Sequence, residues 1–419
     1  MEKKVNMFAY VARQPILDKQ QNVYAYELLF RDGKSNCFPD IPPDEATSKI
    51  LANNYLTLGI EDIACHKRSF INFHKDTLLH SFPTTLDPSR VVIELVETVP
   101  VSDQMVEACS NIKEQGYSLA LDDHTFDPRW KMFMPHVDLL KVDLHLCSFD
   151  TIEKNLPNLK DTNVKLVAEK VETYEQFNRC KELGFDYFQG YFFARPEVIK
   201  TKNLPTSKLA LIELMGLSSS SHFDFDKVNE IVERDVGLSY MLLRFINNPT
   251  INKRQKISSL RHALNYMGEM ELRKFISLIV LANIGDDKPI ELIHLSLVRA
   301  RFCDSLAQEK GIGDNPPAGF LVGLFSLLDA LLDQDMKAIL KKLPLTEDIL
   351  AALRGEEGTL KNYLCMVKAL ESASWIRVKN VAKALELDQR LIHSLFNDAI
   401  IWGNAMRETV SSHFPKKGA

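Results

Sequence analysis

The first half of the chain alternates short apolar runs with amphipathic stretches. Apolar runs rich in β-branched and aromatic residues occur at 22–30, 69–73, 91–95, 118–121, 139–142, 165–168 and 187–193. Apolar residues recur at helical spacing in 45–58, 102–115 and 173–183, and the last two stretches begin at a capping Ser or Thr. This order predicts parallel strands joined by crossover helices. About seven such units favour a closed (β/α) barrel over an open sheet.

The pattern changes after Pro196. From about residue 207 onward nearly every segment has helical periodicity, and no β-rich alternation appears. A chain of 419 residues also exceeds what one ordinary core fills. We therefore predict two domains, a barrel at 1–203 and an all-α domain at 204–419.

Composition and charge narrow the class of protein. Hydrophobic residues make up 45% and charged residues 26% of the chain, as in globular proteins, and the net charge of −5 favours neither nucleic-acid polymers nor anionic membranes. No apolar run approaches the roughly 18 residues of a membrane-spanning helix. The seven cysteines are scattered without a C-x-x-C pair, which indicates reduced thiols. These features predict a cytoplasmic protein with no membrane segment and no zinc site.

Polar side chains end or directly follow most of the predicted strands. They are Glu27, Asn72, Glu94, Glu97, Asp122, Asp123, Lys141, Glu169 and Gln189. Each alone is typical of an ordinary strand end, but a barrel gathers the C-terminal ends of its strands at one mouth. Carboxylates gathered there without a cation would repel one another strongly. Oxygen ligands without interleaved His or Cys favour Mg²⁺, Mn²⁺ or Ca²⁺ over zinc.

The adjacent carboxylates Asp122 and Asp123 can serve two metals, because neighbouring side chains at a strand end can splay to either side. Two metals about 3.5–4 Å apart stabilise in-line attack on a phosphodiester. Lys141, a lysine among carboxylates, can steer water or help to activate it. The residues therefore predict metal-assisted hydrolysis of a phosphate ester.

The order and spacing of these residues resemble the EAL domain of bacterial cyclic di-GMP phosphodiesterases over residues 13–196. The segment RQPILDKQQNVYAYELLFR resembles the opening of that domain, with Glu27-Leu28-Leu29 in place of Glu-Ala-Leu. The resemblance implies a TIM-like barrel, a homodimer, and Mg²⁺ or Mn²⁺ in a two-metal site held by Glu27, Asn72, Glu94, Asp122, Asp123 and Glu169. It further implies catalytic roles for Lys141, Glu169 and Glu97, and contacts with cyclic di-GMP from Gln14, Leu28, Arg31 and Gln189.

The loop after Asp123 and residue Lys170 depart from the family pattern, and Asp32 stands where the family often has an aromatic residue. The family loop Asp-Asp-Phe-Gly-Thr-Gly is here Asp122-Asp123-His124-Thr125-Phe126-Asp127, so both glycines are absent. Glycine permits left-handed backbone and close approach, and its loss alters the loop. The resemblance implies that this loop links dimerisation to metal binding. Lys170 replaces the glycine of the family's Ala-Glu-Gly-Val-Glu and adds positive charge beside the site.

The second half resembles the HDOD domain, a helical relative of metal-dependent HD phosphohydrolases that lacks their metal site. The apolar segment AGFLVGLFSLLDALL resembles the helix that carries His-Asp in an active HD enzyme, but Ser326-Leu327-Leu328-Asp329 stands there, and no His-Asp dipeptide occurs in the chain. His262, His294 and His393 lie in amphipathic stretches and are interpreted as packed or surface residues. We predict a regulatory domain that binds an unidentified protein partner.

Three functions remain open at this point. The first is hydrolysis of cyclic di-GMP to linear pGpG, with the HDOD domain as regulator. The second is a catalytically weak or inactive receptor that holds cyclic di-GMP and signals through the HDOD domain. The third is a scaffold in which neither domain uses nucleotide, against which the full set of carboxylates argues.

Overall fold

The computed structural model describes most of the chain. The described segments are 10–31, 60–79, 86–160, 162–195, 206–220, 222–234, 256–284, 288–311, 316–341 and 345–411, with a few isolated positions besides. One compact unit contains the residues up to Phe192, and the second contains nearly all residues from Phe193 onward. The predicted helix at 45–58 and the predicted boundary at 203/204 both lie outside the described residues. No described helix combines the length and apolarity needed to cross a membrane.

The first unit is a closed barrel whose eight described strands follow one another in chain order, with the last strand joined to the first. The strands are β1 Tyr10–Asp18, β2 Val23–Arg31, β3 Arg68–Phe73, β4 Val91–Leu95, β5 Ser118–Leu121, β6 Leu139–Asp143, β7 Lys165–Glu169 and β8 Tyr187–Gln189. Strands β2 to β8 pair in parallel. The predicted barrel is therefore confirmed.

The expectation of parallel strands throughout is wrong for β1, which the apolar pattern did not identify as a strand. It runs antiparallel to both β2 and β8. The chain reverses after Asp18, whose carboxylate accepts hydrogen bonds from the backbone of Gln20 and Asn22. So short a turn can join only antiparallel strands, since a parallel pair needs a crossover of a dozen or more residues.

Helices lie between the parallel strands, as the pattern predicts. They are α1 Ile60–Ile63, α2 Lys75–Leu79, α3 Asp103–Glu114, α4 Phe149–Asn155 and α5 Tyr174–Glu182, with 3-10 segments at Pro128–His136, Leu156–Leu159 and Phe192–Ala194. Ser102 caps α3, and Thr173 and Gln176 form the predicted capping box of α5. The predicted strand at 187–193 is shorter than expected, because the chain leaves the sheet after Gln189.

The interior of the barrel is filled by one layer of side chains to which every strand contributes a residue. The layer consists of Ile16, Ala25, Phe70, Val92, Ala120, Leu139, Val167 and Tyr187. Because side chains alternate between the two faces of a strand, residues two positions away from this layer also point into the barrel. This layer therefore forms the floor beneath whatever occupies the mouth.

The described part of the second unit is helical, as expected for an all-α domain. Its helices are α6 Thr206–Ser219, α7 Phe225–Arg234, α8 Leu260–Met267, α9 Glu269–Ile284, α10 Ile290–Glu309, α11 Ala318–Phe325, α12 Leu328–Leu332, α13 Met336–Leu340, α14 Glu347–Arg354, α15 Thr359–Glu371, α16 Trp375–Leu385 and α17 Gln389–Ser411. Helix α11 packs tightly on α10, since a Cβ atom at Gly323 would lie 2.3 Å from the carbonyl oxygen of Arg299. The apolar segment 318–332, expected to be one helix, forms two, because α11 ends at Phe325 and α12 begins at Leu328.

Candidate metal centre at the barrel mouth

A ring of polar side chains lies directly above the apolar floor. On the parallel strands, the residues two positions after the floor are Glu27, Asn72, Glu94, Asp122, Lys141, Glu169 and Gln189. On the antiparallel strand β1 the equivalent residue precedes the floor by two positions, and it is Gln14, paired with Glu27 across the β1–β2 register. The alternation of side chains thus brings all eight to the same end of the barrel.

Lys141 lies at the centre of this ring with its side chain fully buried. Its Nζ atom lies 2.6 Å from Glu94 Oε1 and 2.8 Å from Asp122 Oδ1. The same atom lies 2.8 Å from Glu169 Oε1 and 3.2 Å from Glu27 Oε2. One ammonium group therefore faces four carboxylates, and with all of them ionised the cluster carries an excess of negative charge.

The pKa values of the ring reflect this excess. Burial raises the pKa of Glu94 well above its usual value, and repulsion from Glu27 raises it further. Burial also raises the pKa of Glu169 to about 8. For Lys141, burial alone would lower the pKa, but attraction from the four carboxylates, led by Asp122, raises it well above its usual value. Lys141 is therefore charged. The buried carboxylates repel one another when ionised, and a further cation would reduce this repulsion.

Several buried oxygen atoms of the ring find no hydrogen-bond donor within the described part of the chain. The amide nitrogen of Asn72 donates to Glu27 Oε1 at 3.0 Å, and that of Gln189 donates to Glu27 Oε2 at 2.6 Å and to Gln14 Oε1 at 3.0 Å. The atoms left over are Asn72 Oδ1, Glu94 Oε2, Glu169 Oε2 and Gln189 Oε1. A buried acceptor without a partner costs about 1–3 kcal/mol. Oxygen atoms of this kind are the ligands of Mg²⁺ and Mn²⁺, so the residues present fit a divalent cation.

A second group of carboxylates, the acidic triad (Glu97, Asp122 and Asp123), adjoins the ring. One carboxylate oxygen from each of the three lies within 4.8 Å of the others. Asp122 belongs to both groups, since one of its oxygen atoms contacts Lys141. Burial and repulsion from Asp122 raise the pKa of Asp123 to about 6. Asp122 is therefore placed to be shared by two cations.

The loop after Asp123 keeps left-handed backbone although it has no glycine. Asp123 has a φ of 45° and Phe126 a φ of 60°. His124 is buried, its backbone N–H donates to the carbonyl of Lys141 at 2.8 Å, and its ring packs edge-on against Phe126. Asp127 accepts a hydrogen bond from the backbone N–H of Arg129 and so caps the 3-10 segment that follows. The substituted residues therefore fix the loop through contacts of their own.

One residue expected to contact substrate, Leu28, is not brought into the ring by its side chain. Leu28 follows Glu27 on β2, so its fully buried side chain points to the outer face of the strand. The side chain of Arg31 lies outside the described residues. Conversely, Asp143 was not identified from the sequence although it lies two positions after Lys141 on the inward face of β6 and is buried. The same alternation that places Lys141 could have identified it.

Comparisons with known proteins match two domains in this chain. The family model of the EAL domain matches residues 60–196, and that of the HDOD domain matches residues 204–337. Because the EAL match begins after β2, the place of Gln14 and Glu27 in the site rests on the barrel geometry. A solved structure of Klebsiella pneumoniae BlrP1 in complex with calcium and cyclic di-GMP aligns with a TM-score of 0.35 at 22% identity, covering 45% of this chain and 55% of that one.

Two curated relatives align over almost their whole length. Cyclic di-GMP phosphodiesterase CdgJ of Vibrio cholerae is 36% identical over 404 residues, which cover 96% of this chain and 94% of that protein. The uncharacterised protein YuxH of Bacillus subtilis is 32% identical over 404 residues, covering 94% of this chain and 98% of that protein. With both domain models matched in order and relatives of this similarity along its length, the chain belongs to the family of proteins in which an EAL domain precedes an HDOD domain.

Proposed function

We propose that this protein is a metal-dependent phosphodiesterase that hydrolyses cyclic di-GMP to linear pGpG. The observation that carries the proposal is the ring above the barrel floor, in which buried acceptor oxygens without partners surround the charged Lys141. The name of the Vibrio cholerae relative, which is similar along nearly the whole chain, supports the choice of substrate. The HDOD domain would act as a regulatory domain that binds a protein partner, and we propose that the domains divide at 203/204.

The metal ligands we propose are Glu27, Asn72, Glu94, Asp122, Asp123 and Glu169, holding Mg²⁺ or Mn²⁺ at two neighbouring positions. Bound there, the metal supplies Lewis acidity towards the scissile phosphate and makes water more acidic. Asn72 would contribute its neutral side-chain oxygen, because its amide nitrogen already donates a hydrogen bond to Glu27. Glu97, the exposed member of the acidic triad, would hold the loop that carries Asp122 and Asp123.

Lys141 contributes charge and orientation to the reaction. Because the surrounding carboxylates keep its pKa well above the usual value, Lys141 retains its proton and does not act as a general base. Its ammonium group holds the carboxylates in place, orients the attacking water and offsets negative charge that develops on the phosphate. Glu169 has one oxygen on Lys141 and the other without a donor in the described residues, so it can accept a proton from the attacking water.

Substrate contacts complete the proposal. Gln14 and Gln189 are hydrogen-bonded to each other across the seam where β8 meets β1, and together they border the mouth. Arg31 ends β2 and would bind a phosphate of the ligand, since guanidinium groups pair with phosphate through two hydrogen bonds. Leu28 would contribute through its backbone, because its side chain faces away from the ring. We further propose a homodimer, as the family resemblance implies.

A receptor that binds cyclic di-GMP without turnover is the second candidate. The loop after Asp123 favours it, because two residues that are not glycine hold left-handed backbone there and contacts with the buried His124 fix their positions. A loop held in this way could lack the freedom that turnover requires. Restoring Gly, Thr and Gly at Thr125, Phe126 and Asp127 would then raise turnover with little change in affinity.

Product analysis distinguishes these functions. Purified full-length protein is incubated with cyclic di-GMP and Mg²⁺ or Mn²⁺, and the products are separated by chromatography. We expect linear pGpG in the presence of metal and none after chelation. Glu94→Gln, which keeps the shape of the side chain but removes its charge, should give almost no product. Tight binding without product at high Mn²⁺ and enzyme concentrations would establish the receptor, and absence of both binding and product would establish the scaffold.

A further inference from the structure

Lys170 places a second ammonium group beside the metal centre. The residue directly follows Glu169 at the end of β7 and has a φ of 53°, in the left-handed region. Its Nζ atom donates a hydrogen bond to Asp143 Oδ2 and lies 3.9 Å from Asp123 Oδ1. The ammonium group of Lys170 therefore bridges a buried carboxylate of β6 and a proposed metal ligand in the loop after β5.

Asp143 holds this ammonium group in place. Its side chain is only 1% exposed, whereas that of Lys170 is 52% exposed. The other oxygen of Asp143 accepts a hydrogen bond from the backbone N–H of His145 at 2.6 Å, and Asp143 is paired in register with Glu169. Asp143 is itself held by the strand pairing and by a backbone donor. Its hydrogen bond with Lys170 therefore holds the ammonium group in one position, although the side chain of Lys170 is half exposed.

Asp123 consequently lies between a proposed metal position and an ammonium group. On one side it belongs to the acidic triad, whose oxygen atoms lie within 4.8 Å of one another. On the other side lies the ammonium group of Lys170. A positive charge at this distance lowers the attraction of a carboxylate for a divalent cation, since the two cations repel each other across the shared ligand.

We propose that Lys170 is an internal cation that competes with divalent metal for Asp123 and weakens metal binding at the acidic triad. The inference rests on the proposed function, since it concerns the metal affinity of the same site. At the effective dielectric constant near a protein surface, a unit charge a few ångströms beyond a shared ligand weakens binding of a divalent ion by roughly tenfold or more. Lys170 thereby sets the metal concentration at which the triad fills.

The test measures metal binding directly. Free Mn²⁺ is followed by electron paramagnetic resonance during titration of wild type, Lys170→Met and Lys170→Arg, without cyclic di-GMP. We expect the weaker Mn²⁺ site to tighten roughly tenfold in Lys170→Met and to stay unchanged in Lys170→Arg. Lys181→Met, which removes an exposed lysine of α5, serves as the control for loss of a charge and should leave binding unchanged.

A second variant guards against loss of the fold. Lys170→Met leaves Asp143 buried without its cation, so the double variant Lys170→Met/Asp143→Asn removes that charge as well and should show the same tightening. Adding Asp123→Asn to Lys170→Met should abolish the gain. Unchanged Mn²⁺ affinity in both Lys170→Met and the double variant, or no Mn²⁺ binding by any of the proteins, would overturn the inference. A higher KM for cyclic di-GMP with unchanged Mn²⁺ affinity would also overturn it and make Lys170 a substrate contact.

The outcome separates this inference from the proposed function. If Mn²⁺ affinity shifts as expected but no pGpG forms, the competition by Lys170 stands and hydrolysis does not. If pGpG forms while Mn²⁺ affinity is the same in wild type and Lys170→Met, hydrolysis stands and the competition does not.

Discussion

The Lys141 ammonium group lies 2.6 Å from Glu94 Oε1, and neither side chain is accessible to solvent. A buried ion pair gains little net stability, because removing both charges from water offsets their attraction. Here the pair also lies among three further carboxylates, which repel Glu94. Repulsion among these carboxylates therefore lowers the free energy of unfolding of the barrel, and a bound divalent cation would raise it again.

Metal should stabilise the protein through Glu27. This carboxylate positions the amide groups of Asn72 and Gln189 and also contacts Lys141. A ligand at about one hundred times its dissociation constant stabilises the folded state by about 2.7 kcal/mol, so Mg²⁺ or Mn²⁺ should raise the melting temperature of wild type by several degrees. Glu27→Ala should lose most of this gain and bind metal more weakly in titration calorimetry. Identical metal titrations for the two proteins would contradict the assignment of Glu27 as a ligand.

Lys141→Ala should abolish turnover while leaving binding of cyclic di-GMP nearly intact. The ammonium group acts mainly on charge that develops in the transition state, so kcat should fall by several orders of magnitude, at about 1.4 kcal/mol for each factor of ten. Single-turnover kinetics and equilibrium binding on the same preparation measure the two effects, with Lys181→Ala as control. Equal losses of affinity and rate would show that Lys141 serves the fold or the ground state instead.

The metal-free protein should become less stable as the pH rises from about 5 to 9. Burial raises the pKa of Glu169 from 4.5 to about 8. Between those values the folded state binds a proton that the unfolded state has released, so this contribution to stability is present at low pH and is lost as the pH rises through 8. Thermal unfolding with chelator should show the decline, and Glu169→Gln should flatten it. A melting temperature of wild type that is constant over this range would contradict the raised pKa.

The helical domain should show no phosphoesterase activity. Where an active HD enzyme carries His-Asp, Ser326 donates to the carbonyl of Gly323 and accepts from Arg299, and Asp329 lies at the start of α12. In the described part of this unit no cluster of metal-ligand side chains occurs. Residues 207–419 expressed alone should therefore hydrolyse no phosphoester with any divalent metal. Metal-dependent hydrolysis by that fragment, absent from a mock purification, would overturn this assignment.

The ring at the barrel mouth could be predicted because the strands obey a simple alternation. Apolar runs located β2 to β8, and the polar residues at their ends pointed to the same mouth. Strand β1 escaped notice because Arg13, Gln14 and Pro15 interrupt its apolar pattern. The length of β8 was overestimated because aromatic residues continue past Gly190, where a Cβ atom would lie 2.1 Å from the carbonyl oxygen of Val171 and the chain must leave the sheet.

Contacts between residues at the ends of different strands could not be predicted from the sequence pattern. That Lys170 replaces a glycine of the family pattern was visible, but its pairing with Asp143 depends on the register between β6 and β7. The loop after Asp123 was expected to change with the loss of its glycines. That His124 would be buried and Asp127 would become a cap followed only from the fold around them.

The seam between β1 and β8 has a consequence for synthesis of the protein. Gln189 donates to Glu27, 162 residues earlier in the chain, and it lies on the last strand of the barrel. Until that strand leaves the ribosome, β1 and β7 are unpaired edges, and contacts this distant in sequence form slowly. An incomplete nascent chain thus lacks the closed ring of ligands, and the protein gains its chemistry only when translation has passed the end of the barrel.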